Sequence, residues 1–229
     1  LSMRIAHFSL GFLLALSFWT VLQTPAQAFS DVTSKTYEKD AIAQVVSKNW
    51  LAGQTSDVFG YGVAITPAEW LRVLMFLRTK DACPEYGYTP TAYWTPETIS
   101  ACLAGAGVPV TTASPAVIRR DEAMQQLFAL RRRSFAFQSL QTKPAGYSEP
   151  GDLSAINVNR QGAMIAADRL KLLFRTKNNL LPANALLRED AALAVTRFVS
   201  WEDQGGVDSE TNNQITVSKE AKLNHWRDV

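Results

Sequence analysis

Ile65-Thr66-Pro67-Ala68-Glu69-Trp70 is the stretch on which the fold turns. A threonine followed by proline, with glutamate three places on, marks a helix start. The hydroxyl and the carboxylate satisfy orphan amide donors, and proline's missing N–H is no loss at the first helical position. The same frame recurs without gaps at Ile118-Arg119-Arg120-Asp121-Glu122-Ala123 and at Leu186-Leu187-Arg188-Glu189-Asp190-Ala191. Each copy opens with an apolar residue and places a carboxylate four positions later. About twenty residues upstream of each copy, a further helix is expected around Ile42, Ile99 and Ile165, and five residues before those isoleucines stand Tyr37, Trp94 and Arg160. A helix-loop-helix unit that recurs at such spacing is the mark of a repeat architecture.

Outward from these starts, helical periodicity dominates. Ala41, Ile42, Val45 and Val46 share one helical face, as do Leu71, Leu74 and Leu77, then Met124, Leu127 and Leu130, and later Leu170, Leu173 and Phe174. Alternating patterns are scarce, with Gln214 to Val217 the only short strand candidate, so the expected class is all-α. Thr95-Pro96-Glu97 repeats the proline-led helix start. Glu69, Glu122 and Asp190 read as capping residues, and Trp70 as core. The segment from Trp201 to Val229 is polar, contains Gly205-Gly206 and reads as a partly ordered tail.

The first 28 residues read as a secretory signal: Arg4, an apolar run from Phe8 to Leu22, and a small-residue site at Ala26-Gln27-Ala28. The competing reading is a retained membrane anchor. Removal takes away one charge, so the formal balance falls from +2 to +1, which argues against an electrostatic grip on nucleic acid. Beyond the signal no stretch is apolar and long enough to span a membrane. The histidines are His7, within the signal, and His225, near the carboxyl end, so histidine triads and histidine-ligated metals are not expected in the folded body. No cofactor, metal site, nucleophile or phosphate loop is expected, and the reading is not an enzyme. Cys83 and Cys102 are the cysteines of a chain read as exported, where a disulfide can persist. The alternative is a core residue at Cys102 and a loop thiol at Cys83. Arg131-Arg132-Arg133 ends a helix, where cations complement the dipole; contact with an anionic envelope polymer or with acidic lipid is the other reading.

The unit resembles the S-layer homology domain, whose repeats run from Phe-x-Asp-Val through a tryptophan and an Ala-Ile pair to Thr-Arg-Ala-Glu. The first repeat carries the strongest match: Phe29-Ser30-Asp31-Val32, Tyr37-Glu38-Lys39-Asp40-Ala41-Ile42, Gly53 and Ile65 to Trp70. The second keeps Trp94, Ile99, Gly105 and Arg120; the third keeps Tyr147 at its start and Arg188. On this resemblance the chain divides into a signal (1–28), repeats at 29–79, 80–140 with an insert, and 141–200, and a tail (201–229). The repeats would form a pseudo-threefold trimer within one chain, with binding grooves between neighbours.

What the resemblance implies functionally is a non-catalytic module attached to anionic cell-wall glycan or a peptidoglycan-linked polymer, at the cell wall, surface or periplasm of a bacterium. Arg120 and Arg188, with Trp94 and Tyr37, become the glycan-binding residues. A planar guanidinium at a helix start suits a bidentate anion, and an aromatic ring suits the apolar face of a sugar. The bland readings are solvated arginines and rings that pack between repeats. Pro67 stands where the first repeat would offer arginine, and Arg160 where the third would offer an aromatic. The alternative is a secreted or periplasmic adaptor that keeps the fold, has lost glycan affinity, and meets a protein partner through its insert or tail.

Overall fold

The computed structural model describes residues 29–78, 95–110, 117–130 and 135–204, with residues 135–137 given by backbone alone. Among them are seven α-helices: α1 (Lys39–Ser47), α2 (Pro67–Leu77), α3 (Pro96–Gly105), α4 (Arg120–Ala129), α5 (Phe135–Leu140), α6 (Val158–Arg169) and α7 (Arg188–Asp203). A 3-10 turn spans Leu153–Ala155, and β pairing among the described residues is confined to isolated bridges. The fold is all-α, as periodicity requires. No helix among the described residues is long and apolar enough to cross a membrane. The signal, Cys83, Trp94, the arginine run at 131–133 and the strand candidate at 214–217 lie outside the described residues.

Two kinds of helix start are present, and they differ in range. At α2, Thr66 Oγ1 accepts the Glu69 amide at 3.3 Å while Glu69 Oε2 accepts the Thr66 amide at 3.0 Å, the reciprocal capping box the sequence encodes. Thr95 caps α3 through the Thr98 amide at 3.3 Å, and Asn157 caps α6 through the Asn159 amide at 3.0 Å. The residues before α4 and α7 are Arg119 and Leu187, and neither caps with its side chain. Distant backbone takes their place: Arg120 N donates to Asn184 O at 2.9 Å, Asp121 N to Pro182 O at 3.1 Å, and Arg188 N to Val63 O at 3.0 Å. Orphan donors at a helix start need such partners when buried.

The same lead-in segments pair with one another. Ile65 N donates to Leu186 O and Leu186 N to Ile118 O, each at 2.9 Å, so the starts of α2, α4 and α7 meet at the centre. Around them α3 packs on α2, α6 on α4, and α1 on α7. The first helix of each sequence unit thus lies on the second helix of another, and the last pairing joins the two ends of the described chain. Ile42, Val45, Trp70, Leu74, Leu103, Met124, Leu127, Phe128 and Phe198 are buried in one continuous core. Alanines at 163, 166, 191 and 194 let neighbouring helices approach closely.

Two aspartates 121 positions apart cap loops in the same way. Asp31 accepts the amides of Phe59, Gly60 and Tyr61 at 2.7–2.9 Å, and Asp152 accepts those of Leu180 and Leu181 at 2.9 and 2.7 Å. Ser30 N donates to Asp57 O as Gly151 N does to Asn178 O. Residues 31 and 152, and 57 and 178, share an offset of 121 positions, which also relates Pro67 to Arg188. At that offset Gly151-Asp152 matches Ser30-Asp31, and Val158 rather than Arg160 matches Tyr37. Leu170, Leu173 and Phe174 do not continue α6, because the chain turns at Lys171 with φ 56°. Trp201 belongs to α7 rather than a polar tail; it is 5% exposed, with its ring 5.7 Å from that of Phe198.

Candidate functional site

The two motif arginines are where sequence and structure part. Arg188 is fully buried. Its Nε donates to Phe59 O at 2.8 Å, its other nitrogens reach the Glu69 carboxylate and the Ala52 carbonyl, and its guanidinium lies over the Phe59 ring. Arg120, 6% exposed, lies 3.4 Å from Phe174 O and 3.6 Å from the Asp190 carboxylate. Its Nε is buried without a partner among the described residues. Glu69 and Asp190 are again 121 positions apart, so the two arginines act alike. Each anchors the helix start of one unit beneath the loop of another and against that unit's helix-start carboxylate. The sequence reading has Arg120 and Arg188 present guanidinium to a glycan, whereas here both are buried against groups of the protein itself. The loop carbonyls and the half-buried acid require donors, and a planar guanidinium supplies several at once. Pro67 can supply none.

The acids around these struts are perturbed in opposite senses. Burial pushes Glu69 up, yet hydrogen bonds from Thr66 and the Arg188 guanidinium hold its carboxyl below the ordinary value. Glu189 is raised, by burial and by the negative neighbours Asp190 and Glu38, although it accepts the Gly62 amide at 3.0 Å. Asp190 is raised by burial, a shift opposed by Arg120. Among the described residues no group of His, Cys, Asp and Glu has the makings of a metal site.

The surface between α1 and α7 offers a different set of groups. Tyr37 is 65% exposed, and its ring meets that of Phe174, 38% exposed, edge-on at 5.0 Å. Arg197 of α7 lies across both rings, 5.9 and 5.3 Å from their centres, and donates to Tyr37 Oη at 2.7 Å and to the Lys171 carbonyl. Tyr61, also exposed, donates to Glu38 at 3.1 Å. Burial and the adjacent Glu38 push the Tyr61 hydroxyl up to about 12. These are fixed aromatic faces beside a cation, a combination suited to the apolar face of a sugar ring.

Of the residues singled out from sequence, Tyr37 meets the Phe174 ring and Arg120 the Phe174 carbonyl, while Arg188 lies against the Phe59 and Ala52 carbonyls. Cys102 is buried on α3 and disulfide-bonded, while the other cysteine of the chain, Cys83, lies outside the described residues. Phe174 and Arg197 escaped sequence reasoning. Phe174 sits at helical spacing from Leu170 but in a loop, and Arg197 meets Tyr37 across 160 positions. No protein-family model matches the chain. No curated protein matches it significantly either.

Proposed function

We propose that the chain is an exported, non-catalytic binding module of the bacterial cell envelope: three helix-loop-helix units around a pseudo-threefold axis, resembling the S-layer homology domain, that hold wall glycan on the α1–α7 surface. The observation that carries this reading is the exposed Tyr37–Phe174 pair with Arg197 fixed across it. The rings supply stacking faces and Arg197 supplies a cation for an acidic substituent, a role the buried Arg120 and Arg188 do not fill. Purified chain should sediment with cell-wall sacculi, and less so once the polymers linked to peptidoglycan are stripped away. A chain that stays in the supernatant with both preparations refutes the reading.

A second reading rests on a separate observation. Because Arg120 and Arg188 are bonded within the protein, the helical body persists with neither motif guanidinium turned outward. An adaptor that keeps this body and meets a protein partner through its insert or tail accounts for that arrangement, and on this reading the chain shows no affinity for sacculi.

A further inference from the structure

The packing of α1 on α7 and of α6 on α4 builds one seam twice, with different charges. At the offset of 121 positions, Glu38 before α1 corresponds to Asn159, and Lys39 to Arg160. In the register that aligns Arg188 with Arg120, Glu189 corresponds to Asp121 and Leu187 to Arg119. At the α4–α6 seam the buried carboxylate of Asp121 lies between two guanidiniums, Arg160 at 3.2 Å and Arg119 at 3.0 Å. At the α1–α7 seam the buried Glu189 accepts the Gly62 amide at 3.0 Å, and the buried Glu38 accepts the Tyr61 hydroxyl at 3.1 Å. Apolar Leu187 and exposed Lys39 stand where the other seam has its arginines.

Tyr61 and Gly62 are adjacent, and Asp31 holds the amides of Phe59, Gly60 and Tyr61, so one clamped loop brings the acid before α1 and the acid of α7 side by side. Asp190, the next residue of α7, adds a third carboxyl, with Arg120 of α4 3.6 Å away. The groups that face Glu189 and Asp190 are thus Glu38 before α1, Tyr61 on the loop and Arg120 on α4, while Arg188 turns to Glu69. Burial raises both acids, the negative charge of Glu38 adds to the rise, and Arg120 opposes it at Asp190. A carboxyl raised in the folded state contributes stability in acid that is lost as pH rises through its folded pKa. The α1–α7 seam is therefore weakened by ionisation, whereas ionisation of Asp121 draws the α4–α6 seam onto its arginines.

We infer that the α1–α7 seam is a proton-operated latch: a proton drawn from solvent by Glu189 or Asp190 seats α1 against α7, and its loss at higher pH lets α1 part from α7 ahead of the rest of the core. The hydrogen bond from Arg197 on α7 to Tyr37, two residues before α1, crosses this seam, so the latch also sets how firmly that ring and that cation are held together. The inference stands whatever the Tyr37 surface binds. Amide hydrogen exchange of the full chain tests it, with intrinsic rates divided out, at pH 4.5, the ordinary value of a glutamate, and at about pH 8. Asp31 and Asp168, both held below 3.8, stay charged at either pH. Protection of α1 should fall by about tenfold toward the higher pH while that of α6 stays level. Glu189→Gln, which removes the charge, and Glu38→Gln, which gives this seam the carboxamide that Asn159 gives the other, should each keep α1 protected at the higher pH. Level protection of α1 across the range, a parallel fall in α6, or variants that lose protection as the parent does would overturn the inference.

Discussion

Arg188 shows how a residue that reads as a ligand becomes a strut. At a helix start, beside a carboxylate, guanidinium chemistry serves an external anion or an internal one equally well, and only burial decides between them. Arg188→Ala would leave the Phe59 and Ala52 carbonyls and Glu69 Oε1 without their guanidinium donor, and should cost about 3–5 kcal/mol in urea unfolding. Glu69→Ala should cost less, because the acid is partly exposed and Arg188 keeps its carbonyls. Asp168 and Glu189 should carry opposite pH signatures. Although burial raises Asp168, Arg175 and Tyr147 hold it below its ordinary 3.8, so its contribution is present above that value and lost as pH falls through the folded pKa. Asp168→Asn should therefore lower the thermal midpoint at neutral pH, with the gap closing in acid. Glu189 is raised, so its contribution is present in acid and lost as pH rises through the folded pKa. Glu189→Gln should raise the midpoint at pH 7 and flatten its decline; a lower midpoint at pH 7 would contradict the repulsion ascribed to Glu38 and Asp190.

Among the elements, what was legible in the sequence is what is encoded locally. Thr66, Pro67 and Glu69 lie within four positions, so α2 announces its own start, and Thr95-Pro96 does the same for α3. The starts of α4 and α7 were found only by their register with α2, since their caps are carbonyls of Asn184, Pro182 and Val63 far along the chain. The match of Asp152 to Asp31 was not legible, because Asp152 acts through amides 28 and 29 positions away. Tyr37 was identified as a candidate from its place before a helix, but its partners Phe174 and Arg197 are joined to it by folding alone. Asp152→Ala and Asp31→Ala should behave alike, each freeing loop amides and costing about 1–3 kcal/mol in urea unfolding. A neutral Asp152→Ala beside a costly Asp31→Ala would contradict the shared geometry.

At the scale of the whole molecule, α1 packs on α7, so the described ends of the chain close on each other and no unit has a core of its own. Such mutual burial should give a single cooperative unfolding transition, the same by circular dichroism and tryptophan fluorescence, and removal of residues 29–62 should abolish it. Two separate transitions would refute this closure. The buried struts hold the centre, and the proposed function assigns envelope contact to the α1–α7 aromatic surface. The most direct test is sedimentation of Tyr37→Ala/Phe174→Ala with unstripped sacculi beside the parent chain. The account predicts that the parent pellets while the double variant, with an unchanged helical spectrum, remains in solution. A double variant that pellets as fully as its parent would contradict it.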